Sequence, residues 1–299
     1  MLPSTLRTDL ALEAQEALTC TPQETEGVKI SETTVASHLT QTIVQIQTEN
    51  AAKTIGKPKG TYITLESPKF TEHDDSFHAT ASKVLADCLT SFCPLKGNYQ
   101  HPDTVLVVGL GNRNVTPDCL GPFCVDHLSI SRHLFAEYGQ AAFPTPTPYL
   151  LSGIVPGVMG QTGMETTEII QGIVSTLRPA LCILVDSLAA RSIKRLNRTI
   201  QISDTGIQPG GGVGNHRKAI TRENLGIPVL SLGVPMVVDA ATIVTDSLQL
   251  VQKGPSTPLP SLPPSLHTLF VTPKDVDDRV SRLAFTLSEG INKAFGPSW

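Results

Sequence analysis

The sequence predicts an α/β protein, with a central, mostly parallel sheet flanked by helices and an additional β-rich region near the N-terminus. Three observations carry this. Residues 105–108 (VLVV) and 181–185 (LCILV) are short apolar runs with β-branched residues that stop abruptly, as buried strands of a parallel sheet do. Residues 149–155, 162–177 and 181–185 read strand, helix, strand in succession, which implies a right-handed crossover and parallel pairing. Residues 74–92 place Phe77, Ala81, Val84, Leu85, Cys88, Leu89 and Phe92 at helical spacing, an amphipathic helix suited to covering a sheet face.

Taken in order, residues 1–25 are polar, rich in Thr and Glu, and read as a leader preceding a single domain over 26–299. Runs at 42–46 and 61–65, with the turn Gly56-Lys57-Pro58-Lys59-Gly60 between them, suggest antiparallel pairing. After the strand at 105–108, residues 122–135 read as one helix and 143–148 (FPTPTP) as an extended connector. Thr162 and Glu165 stand in capping-box spacing before Ile169, Ile170, Ile173, Val174 and Leu177, and Arg178-Pro179 closes that helix. A strand at 229–232 and a helix over 239–251 follow. Five prolines in 254–264 mark a loop. Thr272, Pro273 and Asp275 then open a last helix with Val276, Val280, Leu283, Leu287 and Ile291 on one face.

Composition narrows the function. At 299 residues, 40% apolar and 17% charged, the chain can bury a substantial core. A net charge of −4 and a pI near 6.1 give no basic field, so direct nucleic-acid binding is not expected. Cys20, Cys88, Cys93, Cys119, Cys124 and Cys182 show no CxxC spacing and several lie in apolar runs, which suits reduced thiols in a cytoplasmic protein. No apolar run is long enough for a membrane span or a signal peptide.

The chemistry concentrates at two strand ends. Each of the segments 105–122 (VLVVGLGNRNVTPDCLGP) and 181–192 (LCILVDSLAARS) carries an aspartate at or just beyond the end of its apolar run. In an open parallel sheet ligands gather outside the carboxyl ends of the strands, so Asp118 and Asp186 can meet in one cleft and serve acid–base hydrolysis. The turn Gly109-Leu110-Gly111-Asn112 suggests a dinucleotide fingerprint, but position 114 is Asn and Pro117 prolongs the loop. Its amides, with those of Gly210, Gly211, Gly212 and Gly214, are candidates for stabilising an oxyanion. Asp126, His127 and His133 are scattered metal-ligand types without a ligation pattern. A metal-assisted hydrolase using the same acids, and a non-catalytic nucleotide-binding regulator, remain open alternatives.

The segments 107–122 (VVGLGNRNVTPDCLGP), 154–167 (IVPGVMGQTGMETT), 185–192 (VDSLAARS), 199–217 (TIQISDTGIQPGGGVGNHR), 225–239 (LGIPVLSLGVPMVVD) and 271–276 (VTPKDV) together resemble the germination protease family of endospore-forming bacteria. The leader stretch Arg7-Thr8-Asp9-Leu10-Ala11-Leu12-Glu13 matches as well, so the resemblance spans nearly the whole chain. It implies a twisted α/β sheet similar to hydrogenase-maturation proteases and a homotetramer in the spore core. It also implies an endopeptidase that begins the degradation of small acid-soluble spore proteins, made as a self-processing zymogen. The family's proposed catalytic aspartates fall on Asp118 and Asp186. Its processing region falls on Thr8, Asp9, Leu10, Ala11, Leu12 and Glu13. No cofactor is implied, a divalent metal being the alternative. Cys119, Ser187 and Gly211 depart from the usual family residues, and 254–264 is shorter than in long members, but both aspartates are present.

Overall fold

The computed structural model describes residues 8–18, 26–211, 217–251 and 262–298. The chain begins with helix α1 (Ala11–Glu16), then the hairpin β1 (Val28–Ala36) and β2 (Leu39–Ile46), helix α2 (Glu49–Ile55), strand β3 (Gly60–Glu66) and the long helix α3 (Asp75–Phe92). The central unit follows: β4 (Asp103–Gly109), α4 (Leu120–Asp126), α5 (Arg132–Tyr138), β5 (Tyr149–Ile154), α6 (Met159–Thr162), α7 (Thr166–Leu177) and β6 (Leu181–Ala190). The remainder is β7 (Thr199–Ser203), α8 (Arg222–Leu225), β8 (Val229–Asp239), α9 (Ala240–Val251), β9 (Phe270–Val271) and α10 (Val276–Phe295).

These strands form one nine-stranded sheet in the order β1-β2-β3-β7-β8-β6-β4-β5, with β9 beside β8. The four strands β8, β6, β4 and β5 are parallel, as the strand–helix–strand succession requires. The β-rich N-terminal region joins the same sheet through antiparallel β3–β7 pairing, and β7–β8 and β8–β9 are also antiparallel. The sheet as a whole is therefore mixed, its parallel part confined to the half that holds the predicted cleft.

Alternation along the parallel strands builds two apolar layers. Val105, Val107, Ile183 and Val185 pack with Leu85 and Leu89 of α3 and Leu283 and Leu287 of α10 on one face. Leu106, Val108, Cys182 and Leu184 pack with Ile170 and Val174 of α7 on the other. Burial on both faces is why these strands read as unbroken apolar runs rather than alternating ones.

Several predicted boundaries shift for tertiary reasons. The helix expected over 122–135 is two helices: α4 stops at Asp126, Asn292 of α10 binds His127 O (3.0 Å) and Ser129 N (2.8 Å) in the gap, and Ser131 pairs with β5, its N–H donating to Leu151 O (3.1 Å) and its Oγ accepting from Leu151 N (2.9 Å). Ahead of the 56–60 turn lies α2, capped by Thr48 Oγ1, which accepts from Ala51 N at 3.2 Å. Strands β6 and β8 run well past their apolar cores, since their ladder continues to Ala190 against Val238. Helix α7 starts at Thr166, its Glu168 carboxylate accepting from Glu165 N, whereas Thr162 ends α6. Helix α10 begins at Val276, later than Thr272, whose hydroxyl donates instead to Met236 O at 2.9 Å.

Candidate active site

Asp118 is set by a joint between β4 and α4. A Cβ on Gly109 would lie 2.4 Å from Gly121 O, and one on Gly121 would lie 2.4 Å from both Leu110 O and Val185 O. Only glycines allow the two backbones to touch in this way. The chain then turns through Gly111 and returns as a short 3-10 turn ending at Asp118. There the Asn112 N–H donates to Asp118 Oδ2 at 2.7 Å. Asp186 follows Val185, which is paired with Gly109, the last residue of β4. The strand β6 continues where β4 stops, so Asp186 sits inside a strand rather than after one, beside the gap that β4 leaves. Its Oδ1 accepts from Ser187 N at 2.9 Å.

Both carboxyls line one cavity of about 540 Å³. Asp186 is buried, and burial first, then the neighbouring Asp118 and Asp9 carboxylates, push its pKa well above the ordinary carboxylate value. Asp118 is half-buried and is also pushed up by burial, but the Asn112 amide opposes the shift. Both carboxyls are therefore harder to ionise than a free one, Asp186 the more so.

The third carboxylate belongs to the leader. Residues 8–18 lie along β6 instead of standing clear of the domain. Asp9 N donates to Ala189 O (2.9 Å) and Ala189 N donates to Asp9 Oδ2 (2.8 Å). Leu10 is fully buried among Leu188, Ala190, Leu196 and Val238. The Glu13 carboxylate accepts from Arg191 N (2.6 Å) and Ser192 N (2.9 Å) and from the Thr8 hydroxyl. Arg195 braces the helix by pairing with Glu16 and Glu66. Ala11 and Leu12 pack into the cluster of Val44, Ile46 and Ile55.

The predicted site residues thus divide. Asp118, Asp186, Asp9, Gly111 and Gly210 line the same cavity. Gly109, Gly111 and Asn112 shape and hold Asp118, and the Asn112 N–H is used on that carboxylate rather than left for a substrate oxygen. Gly211 lies in a second cavity of about 310 Å³ on the far side of Asp9, while Gly212 and Gly214 lie outside the described residues, as does most of the 254–264 loop. Sequence reasoning missed Lys57 and Gln201, which bind the leader backbone, and Arg217 and Lys218 on the wall of the larger cavity. Lys57 lay in plain sight within the 56–60 turn, but no sequence signal linked it to residues 8–9.

The scattered metal-ligand types are otherwise engaged, Asp126 with Arg113 and the His127 ring against Phe285. Among the described residues no group of three His, Cys, Asp or Glu side chains is arranged to hold a metal ion. Among the described residues no helix is long and apolar enough to cross a membrane.

Fold and cleft together define an α/β protein with two carboxyls in one cavity, side chains of the kind that serve acid–base hydrolysis. Residues 7–255 match the family model described as germination protease. The chain is 41% identical to the germination protease of Caldanaerobacter subterraneus subsp. tengcongensis, covering 98% of this chain and 94% of that one. It is 46% identical to that of Priestia megaterium, over 83% of this chain and 67% of that one. Among solved structures it resembles a [NiFe] hydrogenase maturation protease, HycI, from Thermococcus kodakarensis, at 17% identity and a TM-score of 0.33, covering 69% of this chain and 99% of that one. The chain belongs to the germination protease family, and is accordingly an endopeptidase, a hydrolase of peptide bonds. That sets aside the nucleotide-binding regulator.

Proposed function

We propose that this endopeptidase begins the degradation of small acid-soluble spore proteins in the spore core during germination, that it is made as a self-processing zymogen, and that Asp118 and Asp186 are its catalytic pair. The observation that carries the reading is the meeting of both carboxyls in one cavity with the leader segment, acidic then apolar, laid beside them. Asp118, ionised, takes a proton from water as it attacks the peptide carbonyl; Asp186, protonated, donates to the departing amine. The pair ends with one proton, as it began. The docked leader blocks the cleft until it is cut within Thr8 to Glu13, and the working form is a homotetramer.

Incubating the purified chain at mildly acidic pH should remove the N-terminal segment and confer hydrolysis of a spore-protein peptide, both read by mass spectrometry. Asp118→Asn and Asp186→Asn should each abolish both events while the protein stays folded. Full turnover in either variant rules out the pair. Sedimentation before and after processing tests the tetramer.

A further inference from the structure

The Asp9 carbonyl is held by side chains of a different cavity from the one the two acids line. Asp9 lines both cavities, the one containing Asp118 and Asp186 and the smaller one containing Lys57 and Gln201. Two donors converge on its carbonyl oxygen: Lys57 Nζ at 3.0 Å and Gln201 Nε2 at 3.1 Å. The Lys57 ammonium also reaches Thr8 O at 3.0 Å, so both of its hydrogen bonds go to main-chain carbonyls and neither to a carboxylate. The Gln201 amide is fixed at its other end, where Oε1 accepts from Ala11 N at 2.8 Å, and the side chain is buried on β7. Burial lowers the Lys57 pKa, and the nearby Asp9 and Glu13 carboxylates oppose that without accepting a hydrogen bond from it, so its donors are left for the carbonyls. A preorganised cation and amide on one carbonyl oxygen are what a developing negative charge requires.

We infer that Lys57 and Gln201 are catalytic residues that polarise the carbonyl of the bond to be cut, which in the leader is the bond between Asp9 and Leu10. The inference rests on the proposed acid-pair protease reading and moves the oxyanion role from the glycine turns to these side chains. Water, losing a proton to Asp118, forms a bond to the Asp9 carbonyl carbon. The carbonyl π pair moves onto oxygen, where Lys57 and Gln201 stabilise it. As that pair returns, the C–N bond breaks and the Leu10 nitrogen takes the proton of Asp186. One water is consumed: its OH ends in the new carboxyl and its other proton on Asp118, while the new amine carries the proton that Asp186 gave up, so the acid pair still holds one proton. Loss of the N-terminal fragment leaves both donors facing the cleft, ready for the carbonyl of a substrate added from outside.

Because the leader is already docked, the first-order rate of its loss reads the chemical step without a contribution from substrate capture. The full chain is compared with Lys57→Met, Lys57→Arg and Gln201→Leu, following leader loss by intact mass and the docking of residues 8–16 by hydrogen exchange. Removing one such donor should slow the rate by about 10²–10³-fold. The expected result is that slowing in Lys57→Met and Gln201→Leu, substantial rescue in Lys57→Arg, and unchanged protection of residues 8–16 apart from the Ala11 amide, whose acceptor is lost in Gln201→Leu. An unchanged rate in Lys57→Met overturns the inference. So does a lost rate accompanied by lost protection, which would make Lys57 a clamp. If the unaltered chain neither loses its leader nor cuts a peptide containing residues 5–16, it is the underlying protease reading that fails.

Discussion

Burial first, and then the Asp118 and Asp9 carboxylates, oppose the ionisation of Asp186, which lies on β6 just past the end of its pairing with β4. A carboxyl whose native pKa lies above its unfolded value gives its full stability only below the unfolded value, ordinarily 3.8, and that stability is lost as pH rises towards the native value. Asp186→Asn should therefore raise the melting temperature at neutral pH, and the gain should shrink as the pH is lowered towards about 4. The same change should reduce turnover by about 10²–10⁴-fold. A variant that is inactive yet no more stable at pH 7 than at pH 4, relative to wild type, would mean that Asp186 ionises normally. That Asp118 and Asp186 share a cavity was legible from the two predicted strand ends they follow, Asp186 standing out as an acid directly after a buried apolar run and Asp118 reading by itself as a turn residue. Lys57 and Gln201 were not: a lysine between glycines and prolines reads as solvated, and a glutamine in a strand says nothing until residues 8–11 arrive to use it.

Among the elements, the joint between β4 and α4 decides whether the acids meet. Gly121 lies in α4, and the atoms that crowd its Cβ position are all backbone, from Leu110 and Val185, so no side chain can move aside. Gly121→Ala should destabilise by about 1–3 kcal/mol, the usual range for overpacking. It should also push Asp118 away from Asp186, so that turnover per folded molecule falls as well. Urea unfolding and an assay corrected for folded fraction separate the two effects; wild-type turnover would show that the joint does not position Asp118. The glycines were visible in the sequence, but as a nucleotide-like turn, since their role depends on a helix folding back across them. Strands β6 and β8 were located but cut short, because apolar scanning stops at Asp186 and at Gly233, whereas the ladder is continued by pairing between those strands. The break after α4 has the same origin: the apolar spacing runs on, and it is Asn292 of α10 binding His127 O and Ser129 N, with Ser131 pairing to Leu151, that takes the backbone off the helical path.

For the whole molecule, the leader has two parts with different standing. Asp9 lines the cavity of the two acids and, with Thr8, is held by Lys57 and Ala189, whereas the stretch from Leu10 onward is core. Leu10 and Ala11 are fully buried, Leu12 and Ala14 nearly so, and Glu13 satisfies the Arg191 and Ser192 amides at the end of β6. A helix of six residues is too short for its periodicity to stand out in a polar stretch, which is why 1–25 read as a separable leader. A cut between Asp9 and Leu10 would free the cleft and leave this plug in place. A chain starting at Leu10 should then melt close to the full chain. One starting at residue 19 should lose the burial of Leu10 and Leu12, about 3–6 kcal/mol at about 1.5–3 kcal/mol per side chain. That is a large share of the 5–15 kcal/mol or so that holds a typical domain together, so its melting temperature should fall steeply. Equal denaturant midpoints for the two truncated chains would make residues 10–18 dispensable, and with them the idea that processing removes a stopper while sparing its anchor.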